Sequence, residues 1–476
     1  MRSPLIDLPP ENKRFWEWLL AIMAVGLAVR VAFVLLVQSS ITKLQGDAGW
    51  YHFQAQLLRD GRGFLNPVYY FGNGVSVPGA DHPPGFVVIL AALDLMGISS
   101  PQGQRLVMCL VGIVSIMVIG LLGRRIASPR VGLISAGLAA IYPNIWINDG
   151  MLLTETIFIL ATAVSLLFSY RYLARPTYGA VAVVSVALTV AAMVRPEATL
   201  LFGLLLTPLV LTRARLPWTT RMIHVGVAAL IPIVSFAPWI VYNLGRFDEP
   251  VLISSGLGQT LLVGNCDSTY TGPNLGFWDF ACLGDPVDLQ TAPGGVSALD
   301  AGYRQQAIEY MNAHRGELPK VAAARVGRLW GVYRPGQSVF LDGVLEGRAG
   351  GTGTTNLQIA REALWSYFVL SAPAMLGLVL LVRRRVTVLP LLAQALMITF
   401  IAALTFGLTR YRAGFEVSIV VLAAVSLSWL YTKVGGAPDD TVRGPISGGE
   451  PPVDTGPPVE TDPDVVSASV ETARQS

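Results

Sequence analysis

Charge is what this sequence lacks most. Only 14% of its 476 residues are Asp, Glu, Lys or Arg, while 53% are hydrophobic; a soluble domain carries roughly 25% charged residues. Together with a mean hydropathy of +0.54, that balance excludes a water-soluble globular chain and reads as a multi-spanning α-helical membrane protein. Lysine is nearly missing: Lys13, Lys43, Lys320 and Lys433 are all there are among 34 basic residues, a compositional hint of a GC-rich bacterial genome. The basic residues recur in short groups rather than one patch, so the net charge of +3 gives no reason to expect nucleic acid as a partner.

Nucleotide and metal motifs are missing as well. No Gly-Lys-Ser/Thr phosphate loop and no glycine-rich turn after a strand occurs, which argues against ATP hydrolysis. There is no HExxH and no paired CxxC. The four histidines are scattered at 52, 82, 224 and 314, and only His52 and His82 share a region. No cofactor is expected, and no motif argues for or against a divalent metal. Of the three cysteines, Cys109 lies in an apolar run and reads as ordinary packing.

What is present is a series of apolar runs. Residues 15–37 are long enough to cross a core of about 30 Å at about 1.5 Å per residue, and no small-residue cleavage site follows, so the run reads as an uncleaved first helix. Arg30 within it either snorkels or faces the bundle. Further runs at 104–123, 131–148, 151–171, 179–194, 197–212, 222–243, 363–382, 386–408 and 413–432 bring the expected count to about ten transmembrane helices, and the pairs around 149 and 195 are candidates for re-entrant segments. Arg124, Arg125, Arg130, Arg171, Arg175, Arg213, Arg215, Arg221, Arg383, Arg384, Arg385 and Lys433 all fall on the side of the N-terminal tail, which the positive-inside rule makes cytoplasmic. The organisation expected is a cytoplasmic tail at 1–14, a transmembrane module at 15–243 with a first outer loop at 38–103, an extracytoplasmic loop subdomain at 244–361, C-terminal helices at 362–432 and a disordered cytoplasmic tail at 433–476.

Candidate chemistry gathers in the outer segments. In the first outer loop, residues 48–60 and 84–97 read as helices lying along the interface, separated by a Gly/Pro-rich loop. The late loop, with alternating stretches near 251–263 and a helix at 297–331 broken by Pro319, reads as a small mixed α/β subdomain. Cys266 and Cys282, on the oxidising side, are candidates for a disulfide.

Asp47 in Gly46-Asp47-Ala48-Gly49-Trp50-Tyr51-His52 is either the cap of an interfacial helix or a carboxylate general base. Asp81 and His82, ahead of Pro83-Pro84-Gly85, either cap the next helix or bind a sugar hydroxyl or phosphate. Asp149 and Glu155 are acidic groups just inside apolar runs, where a carboxylate seldom lacks a partner. Arg195-Pro196-Glu197 and Arg410-Tyr411-Arg412 offer guanidinium forks suited either to those carboxylates or to phosphate.

Taken in order, Gly46-Asp47 with Tyr51, His82-Pro83-Pro84-Gly85, Leu153-Thr154-Glu155-Thr156, Arg195-Pro196-Glu197 and Arg410-Tyr411-Arg412 resemble glycosyltransferase family 39. These are the dolichyl-phosphate-mannose protein mannosyltransferase-like enzymes of the GT-C superfamily, and the resemblance covers roughly residues 15–432. It implies a GT-C-like fold and transfer of one sugar, mannose or similar, from a polyprenyl-phosphate donor to a lipid, glycan or protein hydroxyl on the outer face of the plasma membrane, with inversion at the anomeric carbon. Asp47 matches the family's catalytic carboxylate and Arg195 is similar to its phosphate-neutralising residue. Asp81, His82, Arg410 and Arg412 are then donor-binding, with Tyr51, His52, Asp149, Glu155 and Glu197 in support. The competing classes are a lipid-linked sugar flippase or transporter, for which internal repeats are expected and not found, and an O-antigen-ligase-like enzyme with a diphosphate donor.

Overall fold

The computed structural model describes residues 13–40, 44, 46–212, 216–285, 287, 294–341 and 354–435. Most of the two expected tails, Arg213, Arg215 and Lys43 lie outside the described residues. The described residues fold into helices joined by turns and loops. α1 (Lys13–Leu36) leads to α2 (Gly46–Arg59), α3 (Pro67–Asn73) and α4 (Gly85–Leu95); α5 (Pro101–Ile126), α6 (Pro129–Ile141), α7 (Pro143–Asp149), α8 (Glu155–Ala174) and α9 (Tyr178–Val194) follow. After a 3₁₀ turn at Pro196–Thr199 and a π-turn at Phe202–Leu206 come α10 (Thr207–Leu211) and α11 (Trp218–Leu244). The late loop carries α12 (Leu257–Leu262), α13 (Asp267–Tyr270), α14 (Gly295–Ala313), α15 (Leu318–Leu329) and α16 (Pro335–Phe340), before α17 (Thr354–Arg383), α18 (Leu389–Leu404) and α19 (Ala413–Lys433).

Local sequence sets many of these boundaries. Ser100 and Ser128 each precede a proline at the first helical position and accept a backbone N–H of the first turn, from Gly103 and Val131, which meets otherwise unpaired donors. Thr177 caps α9 in the same way through Ala180.

Each of the ten expected spans coincides with helix, but not all of these helices are of membrane-crossing length. Among the described residues six helices are long and apolar enough to cross a bilayer, or seven if α6 and α7, bent by 57°, count as one. The segments at Tyr178–Val194, Pro196–Leu211 and Leu389–Leu404 are shorter apolar helices. The reason is proline: Pro143 breaks the third run, and Pro196 separates α9 from the helix after it, because a residue before proline is driven out of the α region. α19 is the most enclosed of the long helices, with 83% of its apolar window buried, and packs against α6, α8 and α17.

Arg30 faces the bundle. Its Nε donates to Asp149 Oδ2 at 2.6 Å, and Nη1 and Nη2 donate to the carbonyls of Gly26, Ala140 and Ala139 at 3.1–3.3 Å. The pair is fully enclosed, with side-chain exposures of 0% and 2%, and ties α1 to the α6–α7 bend.

The mixed α/β character expected of the late loop is not seen among the described residues. Among the described residues there is no sheet, and the one β pairing is the isolated bridge Leu65–Pro78. Of the alternating run near 251–263, residues 251–256 are loop and Leu257–Leu262 form α12, where Gly258 lets the helix press onto α14: a Cβ there would sit 1.8 Å from the Asp300 carbonyl oxygen. Cys266 and Cys282 are joined by a disulfide. Arg325 donates to the Ala403 and Leu404 carbonyls at 3.0 and 3.1 Å, fastening the loop to the end of α18, and Arg328 donates to the carbonyls of Leu275 and Pro273 at 2.7 and 2.9 Å, holding two parts of the loop together.

Removing one partner of the Arg30–Asp149 pair leaves the other charge buried without compensation, a loss on the order of 3–5 kcal/mol. Asp149→Ala is therefore expected to lower the thermal unfolding temperature of the detergent-solubilised protein, and Arg30→Met with Asp149→Leu to cost much less than the single change. Equal losses from the single and the double variant would count against the pair.

Candidate active site

Five chain segments meet at one cluster of ionisable side chains. α2 supplies Asp47 in its first turn, after Gly46 at φ +54°. The loop before α4 supplies His82, stiffened by Pro83-Pro84. Glu155 is the first residue of α8, presented by a turn in which the buried Leu152 takes φ +52°, a conformation that costs a branched residue energy and persists where surroundings impose it. Arg195 follows α9 in extended backbone, φ −142° and ψ 107°, as Pro196 requires. Arg410 sits in the 3₁₀ turn Thr409–Arg412 that starts α19.

Glu155 is the hub. Its side chain is 0% exposed, and it accepts Arg195 Nη1 at 2.8 Å and Arg410 Nε. Each guanidinium has a second carboxylate: Arg195 Nε donates to Glu197 at 2.7 Å, and Arg410 Nη1 donates to Asp47 Oδ2 at 2.8 Å. His82 Nε2 lies 3.8 Å from the other Asp47 oxygen. The His82 ring packs on Tyr51 at 4.7 Å and Trp50 at 5.9 Å, while Arg195 lies over the rings of Tyr411 and Phe158 at 5.3 and 5.5 Å. The Asp47 side chain remains 38% exposed, the most open carboxylate of the set. Burial pushes its pKa up, but Arg410, then His82 and Arg195, outweigh that and hold it at about 2.

Asp81 stands beside this cluster. Burial raises its pKa above the ordinary carboxylate value, and its Oδ2 is buried with no hydrogen-bond partner. The Ser255 hydroxyl, close by because Ser255 N–H donates to the Ala80 carbonyl at 2.7 Å, is likewise buried and unpaired. The capping reading of Asp81 and His82 fails, since Pro84 occupies the cap of α4 with no side-chain bond.

Three of the expected residues lie elsewhere. His52 turns away into a buried relay, Nδ1 at 2.9 Å from Gln104, which in turn donates to Asp94 at 2.7 Å. Asp149 is held by Arg30. Arg412, two residues from Arg410 and so on another side of the turn, donates to Glu416 at 3.1 Å and to the Leu329 carbonyl, and covers the Tyr367 ring. Sequence reasoning missed Glu416 and its second partner Tyr142, at 2.8 Å; the spacing of four between Arg412 and Glu416 was the available signal. It missed Phe158, one turn after Glu155, and Ser255, which nothing in the sequence singles out.

An apolar groove of about 600 Å³ opens beside the cluster between α4, α9 and α11, lined by residues including Val88, Val190, Met193, Pro238 and Trp239. Both walls run directly into the charged site: Pro84 lines the groove two residues after His82, and Val194 lines it immediately before Arg195. Gly85 permits the close approach of the walls, since a Cβ there would meet the Met193 carbonyl oxygen at 2.7 Å. Among the described residues no group of His, Cys, Asp and Glu is arranged to hold a metal ion.

This is a helical, GT-C-like fold with membrane-length helices and its charges collected beside an apolar groove. Residues 81–242, roughly a third of the chain, match the family described as dolichyl-phosphate-mannose-protein mannosyltransferase, so the resemblance to family 39 is borne out over that stretch. It contains His82, Glu155 and Arg195 but neither Asp47 nor Arg410. No curated protein matches the chain. Among solved structures, the archaeal oligosaccharyltransferase AglB from Archaeoglobus fulgidus, in complex with an inhibitory peptide and a dolichol-phosphate, is similar at 14% identity and a TM-score of 0.50, over 89% of this chain and 51% of that one. The apo oligosaccharyltransferase of the same organism gives 15% and 0.46, over 88% and 51%. ArnT from Cupriavidus metallidurans bound to undecaprenyl phosphate gives 16% and 0.38, over 88% and 79%. The chain spans about half the length of the archaeal enzymes, and likeness at these identities speaks to fold alone.

A carboxylate whose folded pKa lies below its ordinary 3.8 adds stability that is complete above that value and lost as pH falls through the folded one. The contribution of Asp47 is thus expected to fade between about pH 4 and about pH 2. The difference in unfolding temperature between wild type and Asp47→Asn should shrink across that window; a difference independent of pH there would show that Asp47 is not ion-paired.

Proposed function

We propose that the protein is an integral membrane glycosyltransferase that moves one sugar from a polyprenyl-phosphate donor to an acceptor hydroxyl at the extracytoplasmic face. The observation that carries this reading is the continuity of an apolar groove with a cluster of arginines and a partly open carboxylate. A lipid-linked donor has the same layout, with a hydrocarbon chain, a phosphate at the interface and a sugar beyond it. The positive-inside pattern favours the outer side for this cluster, the plasma membrane as its location, and both termini in the cytoplasm.

In this reading the polyprenyl chain lies in the groove between α4, α9 and α11. Arg195 and Arg410 take the phosphate, to which their planar forks are suited. Asp81 and Ser255, each with a buried oxygen lacking a partner, accept or donate to hydroxyls of the sugar, which would satisfy groups otherwise costly to bury. The acceptor hydroxyl approaches Asp47 from the open side. Its proton passes to the carboxylate as its oxygen bonds to the anomeric carbon. The bond from that carbon to the phosphate oxygen breaks, and its electron pair leaves with the polyprenyl phosphate. The two guanidiniums stabilise the charge that grows there, in a site whose walls exclude much of the water. Attack opposite the departing phosphate inverts the anomeric centre. His52, Asp149 and Arg412 have no direct part and act through the scaffold. The cysteines Cys266 and Cys282 brace the late outer loop.

Reconstituted membranes given radiolabelled polyprenyl-phosphate mannose or arabinose provide the test. Wild type is expected to transfer one of them, and Asp47→Asn, folded normally, to lose about 10²–10⁴-fold in rate, the usual worth of a positioned base. Full transfer by the variant would remove Asp47 from the chemistry, and no transfer by wild type with acceptor present would overturn the donor class. Filling the groove with Val190→Trp should raise KM for a long-chain donor while leaving a short-chain donor little changed. An equal effect on both would place the lipid elsewhere.

A further inference from the structure

The charged cluster holds three carboxylates, Asp47, Glu155 and Glu197, against the two guanidiniums of Arg195 and Arg410. Each guanidinium already serves two carboxylates: Arg195 serves Glu155 and Glu197, and Arg410 serves Glu155 and Asp47. An anionic phosphate entering this cluster brings further negative charge, so one carboxylate must yield its guanidinium. Exposure decides which. Glu155 is 0% exposed and Glu197 17%, whereas Asp47 is 38% exposed; freeing a buried carboxylate strands a desolvated charge, while freeing an open one lets water replace the lost partner.

We propose, resting on the reading above, that the donor phosphate displaces Asp47 from Arg410 as it binds, so that Asp47 becomes an effective base only once the donor is in place. In the resting site the carboxylate that must take the acceptor's proton is occupied by Arg410 and is a weak base. Once Arg410 turns to the phosphate, the remaining groups facing Asp47 are His82 from the loop before α4, Tyr51 from its own helix, and Arg195 and Glu155 behind Arg410. His82, 3.8 Å from Oδ1, keeps the released carboxylate in position, and with the Arg410 charge drawn to the phosphate the carboxylate is the stronger base. Arg410 is thereby a positioning residue for the base as well as a ligand for the phosphate.

The experiment is equilibrium binding of undecaprenyl monophosphate to the full-length protein in lipid nanodiscs, read by tryptophan fluorescence, since Trp50 lies against His82. Asp47→Asn is expected to bind the lipid phosphate about tenfold more tightly, because the competitor for Arg410 has lost its charge. In an Arg410→Gln background the same change is expected to give no further tightening; Arg410→Met, which keeps the side chain's bulk without its charge, takes its place if Arg410→Gln does not fold. Unchanged or weaker binding by Asp47→Asn would overturn the proposal. So would tightening of the same size with and without Arg410, which would reveal only a general field of the carboxylate. If wild type and all variants fail to bind undecaprenyl phosphate, the lipid-phosphate reading itself falls, an outcome distinct from binding that Asp47 does not influence.

Discussion

The site depends on one buried carboxylate. Glu155, wholly enclosed at the start of α8, accepts from both Arg195 and Arg410 and so lets two guanidiniums share a small volume. Two like charges about 4 Å apart repel by about 4 kcal/mol at an effective dielectric of 20, a scale comparable with much of a protein's net stability. The N-terminus of a helix is a favourable seat for such an anion, and the left-handed turn at Leu152 delivers it there. Everything else in the cluster is arranged around that fixed point: Glu197 steadies the far side of Arg195, and the aromatic faces of Phe158 and Tyr411 confine its plane.

Exposure divides the cluster into an enclosed anchor and an open rim. Glu155 is closed to water and cannot meet an incoming hydroxyl. Asp47 can, because α2 lies at the rim and leaves the carboxylate partly open. The late loop contributes by restraint: Arg325 fastens it to the end of α18, Arg328 holds the loop's own Leu275 carbonyl, and Arg412 ties the Thr409–Arg412 turn to the Leu329 carbonyl. The turn that carries Arg410 is thus held from two sides.

Much of this was legible in the sequence, for reasons that can be stated. Apolar runs and prolines mark helices whatever their depth, so the ten helical segments were visible, while their lengths were not, because the position at which a helix yields to Pro143 or Pro196 depends on packing. Glu155, Arg195 and Arg410 stood out because ionised groups beside apolar runs need partners, but which carboxylate meets which arginine is decided by three-dimensional contacts across more than two hundred residues, as between Glu155 and Arg410. Arg412 shows the limit best. Its motif is indistinguishable from that of Arg410, yet the turn sends it to Glu416. The expected β structure at 251–263 does not form among the described residues: its first half is loop, its second half is the short helix α12, where Gly258 allows close packing, and no partner strand exists among the described residues to complete a sheet.

The groove walls and the charged cluster are joined by consecutive peptide bonds, Val194 to Arg195 on one side and His82 through Pro83 to Pro84 on the other. A ligand spanning both would therefore approach sideways from the bilayer rather than from bulk solution. For such a ligand the meaningful concentration is its mole fraction among the surrounding lipids, and encounter is a search in two dimensions. Diluting the vesicles with buffer would leave that search unaltered, whereas diluting the donor with inert lipid would slow it.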